Sequence, residues 1–191
     1  MTKTESIKKL ALGAIFTALV VILQLLGSFI RFGPFSISLV LVPIVLGAAL
    51  CNAAIGGWLG LVFGAVVLLS GDAAAFLAVN PMGTVATVLA KGILCGLAAG
   101  LVFSVLKGKN KYLAVFLAAI VCPVVNTGVF LIGCKLFFMQ TITEWGLALG
   151  FANAAQYMFL GLAGGNFLFE LGANMLLSPA ILRILKIFDK N

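Results

Sequence analysis

The sequence predicts an all-α integral membrane protein: one domain over residues 1–191, built as a bundle of six transmembrane helices with both termini inside the cell. Three observations carry this expectation. First, 63% of the 191 residues are hydrophobic and 9% are charged, where a soluble domain averages about 25% charged. Second, the charges cluster and leave uncharged runs of membrane length. Third, the basic residues gather at one set of helix ends. Histidine is absent, which removes the commonest general base, metal ligand and neutral-pH switch. His-dependent triads and His-built zinc sites are thereby excluded.

The uncharged runs set the elements in order. They cover 10–30 (21 residues), 32–71 (40), 73–90 (18), 112–134 (23) and 145–169 (25). A helix rising about 1.5 Å per residue needs about 20 apolar residues to cross the hydrocarbon core. The 40-residue run therefore holds two spans, with Cys51-Asn52-Ala53 as the turn between them. The expected helices are 8–30, 36–51, 53–70, 81–106, 112–138 and 153–187, the second being the shortest. The first run exceeds a signal-peptide core of about 7–15 residues and shows no small-x-small cleavage site, so it is expected to stay as a resident helix.

Orientation follows from Lys and Arg. With both termini inside, the inner segments carry Lys3, Lys8, Lys9, Lys107, Lys109, Lys111, Arg183, Lys186 and Lys190. The outer loops carry Arg31, while Lys91 and Lys135 fall in helices. Nine against one is a positive-inside pattern. The net charge of +7 then reflects topology and lipid headgroups. No basic stretch is longer than the Lys107–Lys111 loop, so no nucleic-acid partner is expected.

Small residues mark close packing. Gly56, Gly60 and Gly64 recur every fourth residue, as do Gly92, Gly96 and Gly100, and Gly161 with Gly165. Such rows let helix backbones approach within the bundle or across a homodimer. Ala14 and Ala18 make a similar pair near the inner end of the first helix. Cys51, Cys95, Cys122 and Cys134 form no C-x-x-C pair and read as buried, inert thiols.

Polar groups at membrane depth are expensive and point to function. Lys91 lies ten residues into the fourth helix, about 15 Å deep. Glu170 lies midway along the sixth, at similar depth and opposite charge, which suits an ion pair. Such a pair either fixes helix register or places one charge against a ligand and lets the other tune it. Asn166, Glu170 and Asn174 are spaced i, i+4, i+8 and so form a stripe. Asn126 lies near mid-depth in the fifth helix, one turn after Pro123, which frees a carbonyl. Lys91, Asn126, Asn166 and Glu170 either line one polar cavity or simply bond neighbouring helices. Asp72 and Asn80 bound an outer connection whose centre, Ala73–Leu77, is apolar. That connection reads either as a lid over the bundle or as an interfacial segment.

No energy-converting or catalytic set is present. Lys107-Gly108-Lys109 has no P-loop context, and the five acidic residues are scattered. Catalysis, cofactors and bound metals are not expected. Transport, if any, draws on a gradient or on another subunit.

Taken in order, several segments resemble the substrate-capture subunits of energy-coupling factor (ECF) vitamin importers. They are Lys8-Lys9 before Ala14-x-x-x-Ala18, Gly33–Leu39, Pro43–Ala48, Lys91–Gly100, Pro123–Gly128, and Asn166-Phe167 with Glu170, Asn174 and Pro179. The likeness spans nearly the whole chain and is nearest the riboflavin and pantothenate branch. It departs at Cys51-Asn52-Ala53-Ala54, where the family often carries Gly-Pro. The resemblance implies a vitamin captured from outside between outer loops and helices four to six, in the plasma membrane of a prokaryote. It implies association with a transmembrane coupling subunit and two cytoplasmic ATPases, and rotation in the bilayer to release the cargo. It assigns the coupling-subunit contact to Ala14 and Ala18, and substrate binding to Lys91, Asn126, Asn166, Glu170, Asn80 and Asp72. With Trp58 and Trp145 as the two tryptophans, a tryptophan-built pocket for a cationic aromatic is disfavoured. The sixteen Phe suit a flavin; Lys91, Arg31 and Lys135 suit a carboxylate such as pantothenate. The competing reading is a stand-alone secondary transporter or channel coupled through Glu170.

Overall fold

The computed structural model describes residues 3–29, 31–32, 35–36 and 39–189. Gly33, Pro34, Ile37, Ser38 and Lys190, and the side chains of Lys3 and Arg31, lie outside the described residues. Helix α1 runs Lys3–Phe29. Phe16, Val20 and Gln24 recur every fourth residue on its buried face, while Leu10, Ile15, Ile22 and Leu26 are exposed on the face that lipid would cover.

The second helix departs from expectation. Strands β1 (Arg31–Phe32) and β2 (Phe35–Ser36) pair antiparallel, Arg31 opposite Ser36 and Phe32 opposite Phe35. Residues 35–36 are thus drawn into backbone pairing, and α2 begins only at Leu41, ending at Leu50. Its ten residues reach about 15 Å, half the hydrocarbon core. It is nonetheless central, burying Leu41, Pro43, Ile44, Val45, Leu46, Gly47 and Ala48.

Asparagine caps set the next helix starts. Asn52 Oδ1 accepts from Ile55 N at the head of α3 (Ala53–Leu69). Asn80 Oδ1 accepts from Gly83 N, with Pro81 at the first position of α5 (Pro81–Leu106). Asn110 Oδ1 accepts from Leu113 N at the head of α6 (Lys111–Phe137). Each cap satisfies an amide that the first turn leaves without a partner. Between α3 and α5 lies α4 (Ala74–Val79), and α7 (Met139–Ala148) follows α6. The last helix extends from Ala154 to Asp189. It comprises α8 (Ala154–Gln156), a π-helical stretch (Tyr157–Gly164) and α9 (Gly165–Asp189).

Among the described residues, four helical segments are long and apolar enough to cross a membrane: Ile7–Phe29, Pro81–Leu106, Lys111–Phe137 and Ala154–Phe188. The apolar helices α2 and α3, at 10 and 17 residues, are shorter. The chain is therefore a multi-pass, helical membrane protein.

The glycine rows of α3 and α5 face each other and make the most extensive helix pairing in the bundle. A Cβ on Gly60 would strike the Gly92 carbonyl, one on Gly56 the Gly96 carbonyl, and one on Gly64 the Val88 carbonyl. Backbones this close gain dispersion contacts that larger residues would forbid. The Gly161 position instead packs against Tyr157 of its own segment and Phe151 of the connection before it.

Two apolar clusters result. The larger joins α1, α2, α3, α5, α6 and α9 through residues such as Val20, Ile44, Leu59, Ala99, Ala118 and Ile181. The smaller gathers Cys134, Phe138, Ile142, Tyr157 and Met158 near α7. All four cysteines are free and buried. At the basic end, Lys186 Nζ donates to Tyr112 Oη at 2.6 Å, tying α9 to α6.

Candidate functional site

Between the two clusters lies a cavity of about 190 Å³. Helix α5 supplies Thr84, Thr87, Val88 and Lys91, which share one face at helical spacing. Lys91 Nζ stands over the Phe63 ring at 5.1 Å and the Phe130 ring at 5.6 Å. The ring faces stabilise a cation modestly but leave its hydrogen-bonding capacity unused.

Helix α6 supplies Asn126, Phe130 and Cys134. Pro123 inside this helix removes a backbone bond one turn before Asn126. Asn126 Nδ2 donates to Glu170 Oε2 at 3.3 Å, and its Oδ1 is buried without a partner. The last helix supplies Asn166 and Glu170, and Asn166 Oδ1 is also buried without a partner. Thr87 Oγ1 completes a set of three such atoms on the cavity wall. Buried polar atoms are almost always hydrogen-bonded in native proteins, and these three, on residues that border the cavity, are left without a partner.

The cavity is roofed by the connection after α3 and by α4. Gly71 adopts φ +87°, a conformation that glycine enters without a Cβ penalty. Asp72 Oδ2 then accepts from Gln24 Nε2 (2.9 Å), Ser28 Oγ (2.5 Å) and Ser70 Oγ (3.1 Å). Asp72 thereby ties the roof to α1 while lining the cavity. Phe76 of α4 packs edge-on against Phe130, Phe138 and Trp145 at 5.8, 5.0 and 5.5 Å between ring centroids. Most of the apolar segment Ala73–Leu77 thus lies in the short helix α4, which packs through Phe76 and Leu77.

The residues singled out from sequence are distributed as follows. Lys91, Asn126, Asn166, Glu170 and Asp72 all border the cavity. Asn80 caps α5 and lies outside the lining. No ion pair within 4.0 Å joins Lys91 to Glu170, because the Glu170 carboxylate turns to Asn126. Asn174 Nδ2 bonds the Glu170 backbone carbonyl at 2.9 Å and is buried away from the cavity lining. Lys135 is exposed on α6, as are Ala14 and Ala18 on α1. Thr84, Thr87, Gln24 and Phe76 also border the cavity, and their place there is not evident from the sequence pattern. Thr87 sits one turn before Lys91, and that spacing was the available signal.

A protein-family model described as "ECF transporter, substrate-specific component" matches residues 8–182. No curated protein and no solved structure matches the chain.

Proposed function

The chain belongs to the family of substrate-specific components of ECF transporters, and from that premise we propose that it captures a vitamin of the riboflavin or pantothenate class from outside the cell. Membership implies a small-molecule substrate and association with a coupling subunit and ATPases. Components of this kind are transport subunits rather than enzymes. In the proposed reading, Lys91, Asn126, Asn166 and Glu170 contact the vitamin, Asp72 secures the roof above it, and Asn80 fixes the start of the α5 wall. ATP is hydrolysed by two cytoplasmic partners, and the subunit resides in a prokaryotic plasma membrane.

The observation that supports the reading best is the cavity wall, where Thr87 Oγ1, Asn126 Oδ1 and Asn166 Oδ1 are buried without partners. Leaving such groups unpaired costs about 1–3 kcal/mol each, and a polar guest repays that cost. The proposed topology keeps six passes, counting the shorter apolar helices α2 and α3 with the four long segments, and places both termini inside; the nine-to-one distribution of basic residues supports that orientation. Ala14 and Ala18 are proposed as the contact with the coupling subunit. Their small side chains on an exposed face allow close helix approach.

Co-expression with an ECF coupling subunit and its two ATPases tests the reading. The complex should purify intact through a tag on this chain, and vitamin uptake should need all four proteins. Uptake by this chain alone that collapses with a protonophore and in Glu170→Gln would favour the secondary-transporter alternative.

A further inference from the structure

Lys91 differs from the other charged groups around the cavity. Glu170 accepts from Asn126, and Asp72 accepts from Gln24, Ser28 and Ser70. Among the described residues Lys91 has two ring faces but no hydrogen bond and no ion pair within 4.0 Å. An ammonium away from bulk water needs an anion or several acceptors to offset its lost hydration. The nearest unused donor on the same helix face is the Thr87 hydroxyl, 6% exposed and unpartnered. An ammonium and a hydroxyl one turn apart on one helix face can donate to the same anion.

The opposite wall has the complementary chemistry. Asn126 Oδ1 and Asn166 Oδ1 are acceptors without donors, and the Asn126 side chain is 4% exposed. They call for N–H or O–H groups on the guest. A second negative charge at that end would face the Glu170 carboxylate and be repelled.

We infer that the cavity selects a small monoanionic acid, its carboxylate held by Lys91 and Thr87 and its hydroxyl or amide donors held by Asn126 and Asn166. The inference rests on the reading of the chain as a capture subunit and narrows its cargo. It favours a hydroxy-amide acid over a neutral flavin, and both over a cation. Phe63 and Phe130 flank the ammonium and keep water from competing for the carboxylate.

The test is isothermal titration of the purified full chain in nanodiscs with paired probes: pantothenate and panthenol, nicotinate and nicotinamide, biotin and biotinamide, lipoate and lipoamide. Riboflavin and thiamin are added as neutral and cationic controls. At least one acid should bind at least tenfold more tightly than its neutral partner. That gap should vanish in Lys91→Gln and persist in Lys91→Arg, which keeps the charge and reports on folding. Thr87→Val should narrow it. Binding of a neutral or cationic probe as tight as that of any acid overturns the inference, as does failure of every probe to bind cooperatively melting protein. An acid preference undiminished in Lys91→Gln also overturns it. Assembly of the wild-type chain with coupling subunit and ATPases is read separately. Intact assembly with the wrong ligand preference refutes the acid assignment alone, whereas absent assembly refutes the capture-subunit reading.

Discussion

Asn126 and Glu170, 44 positions apart in the chain, meet across the α6–α9 interface, the amide Nδ2 donating to the carboxylate at 3.3 Å. The contact joins the proline-containing helix to the last helix and turns Glu170 away from Lys91. In a membrane interior such interhelical bonds contribute about 0.6–2 kcal/mol. Asn126→Ala and Glu170→Ala should each lower the melting temperature of the detergent-solubilised protein. The double variant should then lose less than the sum, by a coupling of about 1 kcal/mol. Strictly additive losses would show that the bond contributes nothing.

The α3–α5 glycine contact is the second point of test. Gly60→Val and Gly92→Val place side-chain atoms against a facing backbone carbonyl, which cannot yield as a flexible side chain can. Overpacking typically costs about 1–3 kcal/mol, sometimes more, and a rigid pairing belongs at the upper end. Folded yield by size-exclusion chromatography should fall sharply for both. Gly172→Ala, which meets nothing within 4 Å, should fold as wild type.

Asp72 makes the roof a tethered element. Asp72→Ala frees Gln24, Ser28 and Ser70 from their shared acceptor. Amide hydrogen exchange across residues 70–80 should accelerate while the α3 and α5 interiors keep their protection. Gly71→Ala acts on the same segment through its backbone, since φ +87° costs a residue bearing a Cβ about 1–2 kcal/mol. Unchanged exchange in both variants would mean that α4 is held by the packing of Phe76 and Leu77 and not by the Asp72 tether.

The first helix offers a separation of functions. Ala14→Trp and Ala18→Trp enlarge an exposed face of α1, and neither residue lines the cavity. Assembly with the coupling subunit, measured by co-purification, should be lost, while vitamin affinity stays within about twofold. Loss of binding with retained assembly would remove these alanines from the interface.

Much of this architecture was legible in charge spacing. Uncharged runs of membrane length marked α1 and α6, and the expected bounds of α3, α5 and the last helix, which also drew on turn residues and helix length, agree with the structure to within a few residues, apart from the extra first turn of α1. The Asn caps before Ala53, Pro81 and Lys111 explain why the starts were sharp. Helix α2 starts later than the uncharged run predicts, because a hydropathy count cannot see the strand pairing that Phe35 and Ser36 enter. Helices α4 and α7 are short, and α7 carries Gln140 and Glu144, so neither leaves a membrane-length signal. The π-helical turn at Tyr157–Gly164 has no sequence period of its own.

At the site, depth was readable but bearing around the helix axis was not. Counting residues put Lys91 and Glu170 at similar depth, and they do border one cavity. An ion pair needs their side chains to converge, and the Asn126 contact takes the carboxylate instead. The Asn166, Glu170, Asn174 stripe divides for a related reason: Asn174 bonds the backbone of its own helix, as mid-helix asparagines readily do. Asn80, expected at the substrate, instead caps α5 through Gly83 N and lies outside the cavity lining, as an Asn directly before Pro at a helix start is placed to do.

The most direct measurement of the central claim is mass spectrometry of small molecules retained by the full chain, purified without ATP or partner proteins. A capture subunit should carry up to one vitamin-sized molecule per chain, displaced by the same compound in excess and unaffected by ATP. A cooperatively folded chain that retains none, and binds no vitamin when challenged, would contradict the account.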